Sequence, residues 1–475
     1  MGNNLCSRCG NLLKNPSFES GLDDWNSNNV TVVGKEAGVS RPFEGVSMAS
    51  MNRGISSLSQ DVLLEACCNS PLLVSFQIFR GAPNGLIGDL IVEVLWLDST
   101  GNIICTGLRS FIPFERTSNL DNRLTFVEIT DTPPYNAVSA RLLITKGSLA
   151  DEINNINNIL DIDQIILTPI SSINLVTNSG FELGSQFWSN INANESFFSN
   201  YEGTGDILLS ATNGTLMQNI PINSFPRGSS FLLSFAVLSN NPDSILKAQV
   251  IWLDKNGNSI GTGLDLLING ETLAFANNYV TYIDVTTPTP KNAVTAQIKF
   301  TATGTLNIFS IDKVIFARVN SMNLLVNPSF ENSNSPSPWI ASGLTTVNQD
   351  SQAYEGTRSS NLPELGGYIY QDVSIIPGRC YLLNFGYRTP FSTTAGNLLA
   401  EVIWLDRNRR EIGLGLNIII GEDTAVGALK WLTYLGITEP APENAAMARV
   451  EFSKSLSITL SGTIEIDKVV LASLV

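Results

Sequence analysis

One segment is written three times along this chain: VLWLDSTGNIICTGL from Val94 to Leu108, VIWLDKNGNSIGTGL from Val250 to Leu264, and VIWLDRNRREIGLGL from Val402 to Leu416. The tryptophans lie 252 − 96 = 156 and 404 − 252 = 152 residues apart. A period of that length is a whole domain, not the ~20–50 residues of a solenoid repeat. Each copy runs from a β-rich stretch into Asp and a short polar turn, then into a second apolar stretch, which is the pattern of a hairpin. One face of the first run carries Val94, Trp96 and Asp98. The other carries Glu93, Leu95 and Leu97, matched by Gln249, Ile251 and Leu253 and by Glu401, Ile403 and Leu405. Both faces are largely apolar, so the strand is either covered twice or presents one apolar row as a contact surface.

Other landmarks repeat in step. The copies open on Asn11 to Glu19 (NLLKNPSFE), Asn174 to Glu182 (NLVTNSGFE) and Asn323 to Glu331 (NLLVNPSFE), followed by Trp25, Trp188 and Trp339. They close on Asp163 to Leu167, Asp312 to Phe316 and Asp467 to Leu471. The division is a cysteine-bearing tail at 1–10 and domains at 11–170, 171–320 and 321–475, joined by Ser/Asn links too short for free tumbling. Short β-branched and aromatic runs broken by Gly, Pro, Asn and Asp, with hardly any 3.6-residue periodicity, predict an all-β chain of three antiparallel β-sandwiches.

Composition narrows the function. Charged residues make up 15% of the chain, against ~25% in an average soluble protein, so much of the surface is Asn, Ser, Thr and Gly. Such a surface can meet sugar hydroxyls or copies of itself without burying many ions. The net charge of −15 argues against nucleic acid and anionic membranes as partners. Histidine is absent, which removes histidine-based triads, imidazole zinc sites and histidine switches. The first ten residues lack the apolar core of a secretory signal, and no apolar run approaches the ~20 residues of a membrane helix. The expectation is synthesis in the cytoplasm and no membrane insertion.

The NPSFE opening, the aromatic-Glu-Gly triplets at Phe43 to Gly45, Tyr201 to Gly203 and Tyr354 to Gly356, and the closing Ile-Asp-Lys-Val resemble the jelly-roll, galactose-binding-like sandwiches of carbohydrate-binding module families four and nine. The Trp-Leu-Asp segment is most similar to a Firmicutes domain found N-terminal to collagen-like triple-helix repeats and associated with the spore surface, although no Gly-X-Y tract follows here. The resemblance implies a structural Ca2+ tying the first strand to the last, held by Glu19 with Asp163, Glu182 with Asp312, and Glu331 with Asp467. Carbonyls of Gly45, Gly203 and Gly356 would complete it, since a hard cation takes six to eight oxygens. The other reading of these acids is that they bond backbone N–H groups at strand ends.

Six of the ten tyrosines lie in the third domain. Residues repeated in every copy serve the fold, so unrepeated aromatics are better ligand platforms: Tyr368 and Tyr370, two apart on one strand face, with Tyr387 and Trp431. Cys6, Cys9, Cys67 and Cys68 crowd the first 70 residues and do not recur in the other copies. They are the candidates for cross-links between subunits in oxidising surroundings. Recurring acids sit at strand ends and do not pair in a cleft as glycoside hydrolysis needs. The reading is a non-catalytic structural or adhesive protein of a spore or cell surface, self-assembling as a homo-oligomer or polymer. The alternative is a lectin-like protein recognising a surface polysaccharide, and a third possibility is an accessory piece of a larger surface or phage-like assembly.

Overall fold

The computed structural model describes residues 9–475, apart from 35–41, 65–68, 82–85, 119–122, 150–156, 198–199, 211, 240–241, 277, 305–307, 333–334, 343, 391–394, 423, 425–429 and 456–461. It is all-β, as expected, with three antiparallel jelly-roll sandwiches. In the first, the strands are β1 (Asn26–Asn28), β2 (Val30–Gly34), β3 (Ser47–Met51), β4 (Ser56–Leu63), β5 (Leu72–Arg80), β6 (Leu90–Leu97), β7 (Ile103–Ile112), β8 (Leu124–Ile129), β9 (Ser139–Lys146) and β10 (Leu160–Pro169). They form an outer sheet of order β1-β4-β9-β6-β7 and an inner sheet of order β2-β3-β10-β5-β8. The second and third sandwiches repeat both orders. Two short helices, α1 (Phe114–Ser118) and α2 (Gly270–Ala276), are the helical elements among the described residues, and neither is long enough to cross a membrane.

The hydrophobic pattern separates the two sheets. Outer strands alternate: β9 reads half-buried and buried in strict turn, and β4 nearly so. The inner strands β5, β8 and β10 read as near-continuous apolar runs, and every residue of β10, of β8 and of β8's counterparts Val280–Val285 and Leu432–Ile437 is buried. Alternation marks a sheet covered on one face, and a continuous run marks one covered on both.

The repeated Trp segment builds the outer sheet's interior. Strand β6 lies between β9 and β7, and Trp96 is wholly buried in the core with Val92 and Val94. On the other face Leu95 and Leu97 are also buried, while Glu93, Ile251 and Ile403 are half-buried. Each indole lies against a glycine of the next strand. A Cβ on Gly107 would stand 2.2 Å from Trp96 Nε1, and one on Gly263 or Gly415 would stand 2.5 Å from the matching indole. That close approach explains why the Gly before the final Leu recurs with the Trp. The Asp that follows caps the hairpin turn: Asp98 Oδ1 accepts the amides of Thr100 and Asn102, and Asp254 and Asp406 repeat the arrangement.

The second cover of each inner sheet is the rest of the chain. Strands β8, Val280–Val285 and Leu432–Ile437 touch one another pairwise about a pseudo-threefold axis. Around it Leu73, Leu232 and Leu382 pack with Val127, Ile283 and Leu435 in a cluster shared by all three domains. Next to the cluster three threonines close a ring of hydrogen bonds. Thr281 Oγ1 donates to Thr125 O (2.6 Å), Thr433 Oγ1 to Thr281 O (2.7 Å), and Thr125 Oγ1 to Thr433 O (2.8 Å).

Two of the three domain junctions are continuous chain, and the third joins the first domain to the last. That third junction carries a disulfide, Cys9–Cys380, across a sequence separation of 371. Cys9, expected to link subunits, is thus used inside its own chain. Cys6, Cys67 and Cys68 lie outside the described residues. A cross-link that closes so long a loop restricts the unfolded chain and stabilises by about 2–4 kcal/mol. Cys9→Ser is therefore expected to lower unfolding stability by about that amount without changing the sandwich folds, as read by denaturant titration and far-ultraviolet circular dichroism.

Candidate functional site

Three of the motifs noted in the sequence meet at one loop in each domain. The closing Asp sits at a bulge where the register of β10 on β5 shifts between Asp163 and Ile166, with Gln164 left-handed at φ 48°. Asp163 Oδ2 accepts the amides of Phe43 (2.8 Å) and Glu44 (3.0 Å), and Oδ1 accepts that of Gln164 (2.8 Å). Glu19 Oε1 accepts the amides of Val46 (2.9 Å) and Ser47 (2.8 Å). In the second domain Asp312 holds Tyr201, Glu202 and Lys313, while Glu182 holds Thr204 and Gly205. In the third, Asp467 holds Glu355 and Lys468, and Glu331 holds Thr357. Gly45, Gly203 and Gly356, all at positive φ, lie against the Glu carboxylate, and a Cβ on any of them would clash with it.

The residues expected to bind Ca2+ thus gather on one loop, and in this structure their carboxylates are engaged by backbone N–H donors. Their oxygens face N–H donors, whose positive ends repel a cation, and Gly356 O accepts from Asn269 Nδ2 at 2.7 Å. Among the described residues no group of three acidic, cysteine or histidine side chains is arranged to hold a metal. The hydrogen-bonding alternative is the one found. Burial pushes the carboxyls of Asp163, Asp312 and Asp467 well above the ordinary range, although the amides pull the other way.

The loop held in this way is a latch onto the neighbouring domain. Gly203 N donates to Phe111 O of the first domain (2.7 Å), Gly356 N to Leu267 O of the second (2.8 Å), and Gly45 N to Ile419 O of the third (2.8 Å). The aromatic of each triplet enters the same neighbour. Tyr201 stacks on Phe126, Tyr354 packs on Tyr282, and Phe43 packs on Tyr434, with centroids 4.3, 4.5 and 4.0 Å apart.

Electrostatics distinguish the three seams. At the first, Lys313 bridges Glu128 across the seam (2.7 Å) and Glu202 (2.8 Å). Burial and the Glu202 charge push Glu128 well up. Burial opposes the charge on Lys313, but the two carboxylates outweigh it and hold it protonated. At the second seam Lys468 reaches Asp284 at 2.7 Å. At the third, Gln164 stands where the others have lysine, and Gly436 where they have an acid. Glu44 is left there with Ser17 Oγ at 3.0 Å, and burial raises its pKa to about 7.

Two of the four expected ligand-binding aromatics are misplaced for that role. Tyr387 is completely buried, and Trp431 is 2% exposed. Trp431 donates Nε1–H to Gln352 O (2.6 Å) and meets Tyr354 edge-on, so it belongs to the seam between the second and third domains. Tyr387 lies within the inner strand Leu382–Arg388 and faces the core of its own sandwich, and Trp431 immediately precedes the inner strand Leu432–Ile437, which removes both from solvent.

Tyr368 and Tyr370 are where they were expected, on the outward face of the third domain's strand Gly367–Ser374. Their rings are stacked with centroids 6.2 Å apart, and Tyr368 is 42% exposed. The Arg449 guanidinium lies 4.0 Å over Tyr370 and bonds both oxygens of Asp372 at 2.8 and 3.3 Å. Across the sheet the register runs Tyr370, Glu451, Glu401, Asn417. Two carboxylates stand directly opposite each other in this row. Burial raises both pKa values, Glu411 adds to it at Glu401, and at Glu451 Arg449 pulls down while Glu401 pushes up. The same row reads Ser59, Leu143, Glu93, Arg109 in the first domain and Met217, Lys299, Gln249, Asp265 in the second. Glu451, Asn417 and Arg449 were not singled out from the sequence. Aligning the three copies along the outward positions of the outer sheet sets Glu451 and Asn417 apart from their counterparts, whereas Arg449 with Asp372 recurs in the first copy as Arg141 with Asp61.

No known protein-family model matches the chain, and no curated protein does either. Solved structures similar to parts of it include the enzymatically active domain of bacteriophage CBA120 tailspike protein 4, at 19% identity and a TM-score of 0.26, covering 31% of this chain and 21% of the tailspike. The tandem CBM22-1-CBM22-2 domain of Paenibacillus barcinonensis Xyn10C is 11% identical over 65% of this chain and 98% of its own, with a TM-score of 0.26. TmCBM61 in complex with beta-1,4-galactotriose is 18% identical over 32% of this chain and 99% of its own, with a TM-score of 0.25.

The unpaired third seam makes stability pH-dependent. Glu44 binds its proton more tightly folded than unfolded, so its contribution is complete below about pH 4.5 and is lost as pH rises through about 7. Glu44→Gln is expected to gain about 1–3 kcal/mol on the native protein between those limits and to run parallel to it above them. Denaturant midpoints across pH 4 to 8 check this, and parallel curves throughout would overturn it.

Proposed function

We propose that the protein is a non-catalytic glycan-binding protein whose binding face is the outer sheet of the third domain. The observation that carries the reading is the row Tyr370, Glu451, Glu401, Asn417, flanked by Tyr368 and Arg449. Like charges directly opposite on neighbouring strands oppose folding, and this row has no counterpart in the other two copies. Aromatic rings take the C–H face of a pyranose, and adjacent carboxylates and an amide accept and donate to its hydroxyls. Both carboxylates are shifted upward by burial. An acid–base pair would need environments that push the two values apart, so the row suits binding rather than bond cleavage. Tyr368→Ala and Tyr370→Ala are each expected to weaken retention on a polysaccharide affinity gel by about tenfold, which is ~1.4 kcal/mol, with unchanged melting. Equal retention of both variants and the native protein on every polysaccharide tested would sink the reading.

A second reading is self-assembly of copies on a spore or cell surface. It draws on Leu183, Phe187, Ile191 and Phe197 of the second domain, which are 54, 63, 58 and 54% exposed within one short stretch of chain. Gel filtration of the native protein is expected to show a species larger than one chain that Phe187→Ser with Phe197→Ser converts to monomer. Native protein eluting as a monomer at all concentrations would remove this reading.

A further inference from the structure

A cavity of about 590 Å3 opens at one end of the second sandwich, where segments 222–231, 254–260 and 289–294 meet. It lies apart from the Tyr368 and Tyr370 sheet and in a different domain. Its floor is apolar, with Ile222 and Phe231 buried and Phe225 half-buried. Its rim carries Arg227, Lys255 and Lys291, all exposed, and none of the three has an ion-pair partner among the described residues.

The rim also holds one carboxylate, Asp254, which is already committed to its own turn. Oδ1 accepts the amides of Asn256 (2.8 Å) and Asn258 (2.9 Å), and Oδ2 accepts from Asn258 Nδ2 (3.3 Å). Three cations against the one carboxylate of Asp254, which Lys255 itself helps keep ionised, give this opening a positive excess in a chain whose net charge is −15. The fold does not require them. Lys291 stands where the first copy has Tyr135 and the third Glu443, while the neighbouring Asn292 recurs as Asn136 and Asn444. Lys255 stands where the first copy has Ser99 and the third Arg407, so of these two positions only Lys291 sets the second copy apart in charge from both others.

We propose that this cavity binds a carboxylated saccharide, taking one uronic acid residue of an acidic glycan. The guanidinium of Arg227 and the ammonium groups of Lys255 and Lys291 hold the carboxylate. The amides of Asn223 and Asn292 bond ring hydroxyls, and Phe225 with the apolar floor covers the pyranose C–H face. The volume lies within the range of small-molecule sites and exceeds what a lone inorganic anion needs.

Titration calorimetry of the full chain with an oligogalacturonide, with its neutral methyl ester, and with inorganic phosphate tests the proposal. The expected result is binding of the oligogalacturonide that weakens with added salt, with ester and phosphate each weaker by about tenfold or more. Arg227→Ala combined with Lys291→Ala is expected to lose about tenfold or more, as is Lys291→Glu, which installs the third copy's residue. Tyr370→Ala is expected to bind the oligogalacturonide as the native protein does, which separates this site from the outer-sheet reading. No oligogalacturonide binding, equal binding of the methyl ester, phosphate binding as tight as the saccharide, or affinity unchanged in the cation variants would each overturn the assignment.

Discussion

Each inner sheet carries large apolar side chains on both faces, one row turned into its own sandwich and the other turned away from it. Leu73, Val127, Ile166 and Ile170, with their counterparts in the other copies, make up the second row. Leaving a Leu, Ile or Val of this kind in water costs about 1.5–3 kcal/mol for each side chain. No single sandwich can cover that row itself, because its outer sheet already lies against the opposite face. The solution in this chain is mutual: three inner sheets meet at one axis and each completes the cover of the other two. The tandem repeat is therefore a closed object, in which removing one domain would expose the inner faces of the remaining pair.

Apolar contact alone does not fix rotation about such an axis, and the polar contacts supply direction. The threonine ring runs from second domain to first, third to second, and first to third, and the aromatic-Glu-Gly latch runs the same way. Because each domain both gives and receives, the contacts are heterologous and close after three steps. What makes the latch rigid is the buried Asp at the bulge, whose oxygens gather amides of the loop so that its aromatic enters the neighbour already oriented. The two seams joined by peptide links are reinforced by lysine, as Lys313 and Lys468 show. The seam without a link has a neutral polar contact in the lysine's place and is closed instead by Cys9–Cys380.

Much of the fold was legible because hydrophobic periodicity reports local burial directly. The threefold Trp segment, the hairpin turns and the strand-rich pattern all predict repeated sandwiches, and the structure has them. The continuous apolar runs also held the information that the inner sheets are covered twice, but one sequence does not say by what. The second apolar face sought on the Trp strand is in fact strongest on the inner strands. The acids at the strand ends illustrate the limit of reading residue types. Glu19 and Asp163 do hold the same loop, Glu19 against Gly45 and Asp163 at Phe43 and Glu44, yet carboxylates that gather amides and carboxylates that gather cations look alike in a sequence. Trp431 was misread for the same reason that Tyr201 and Tyr354 escaped notice as latch residues, since an aromatic at a seam between domains has the spacing of one on a ligand face, while Tyr387 lies in the core of its own sandwich with Leu383 and Phe385.

With the inner faces consumed at the axis, anything the chain recognises must meet an outer sheet or a sandwich end. The outer rows are unequal in what they leave unsatisfied. The fork of Arg141 on Asp61 in the first domain, at 2.6 and 2.8 Å, recurs in the third as Arg449 on Asp372, so the difference lies in the next row, where Glu93 of the first domain lies 3.7 Å from Arg109. In the second, Gln297 bonds Asn219 at 2.9 Å and Lys247 meets Asp265 at 3.1 Å. Those rows complete themselves. The third sets Glu401 against Glu451 with no cation between them in register, a local conflict in a protein whose other choices agree with its fold. If all three rows bound the same ligand, the rigid ring would multiply affinity through effective concentration. Only one row carries the conflict, so the three outer sheets are not three copies of one surface: the conflicting row lies on the third domain and the cationic cavity on the second.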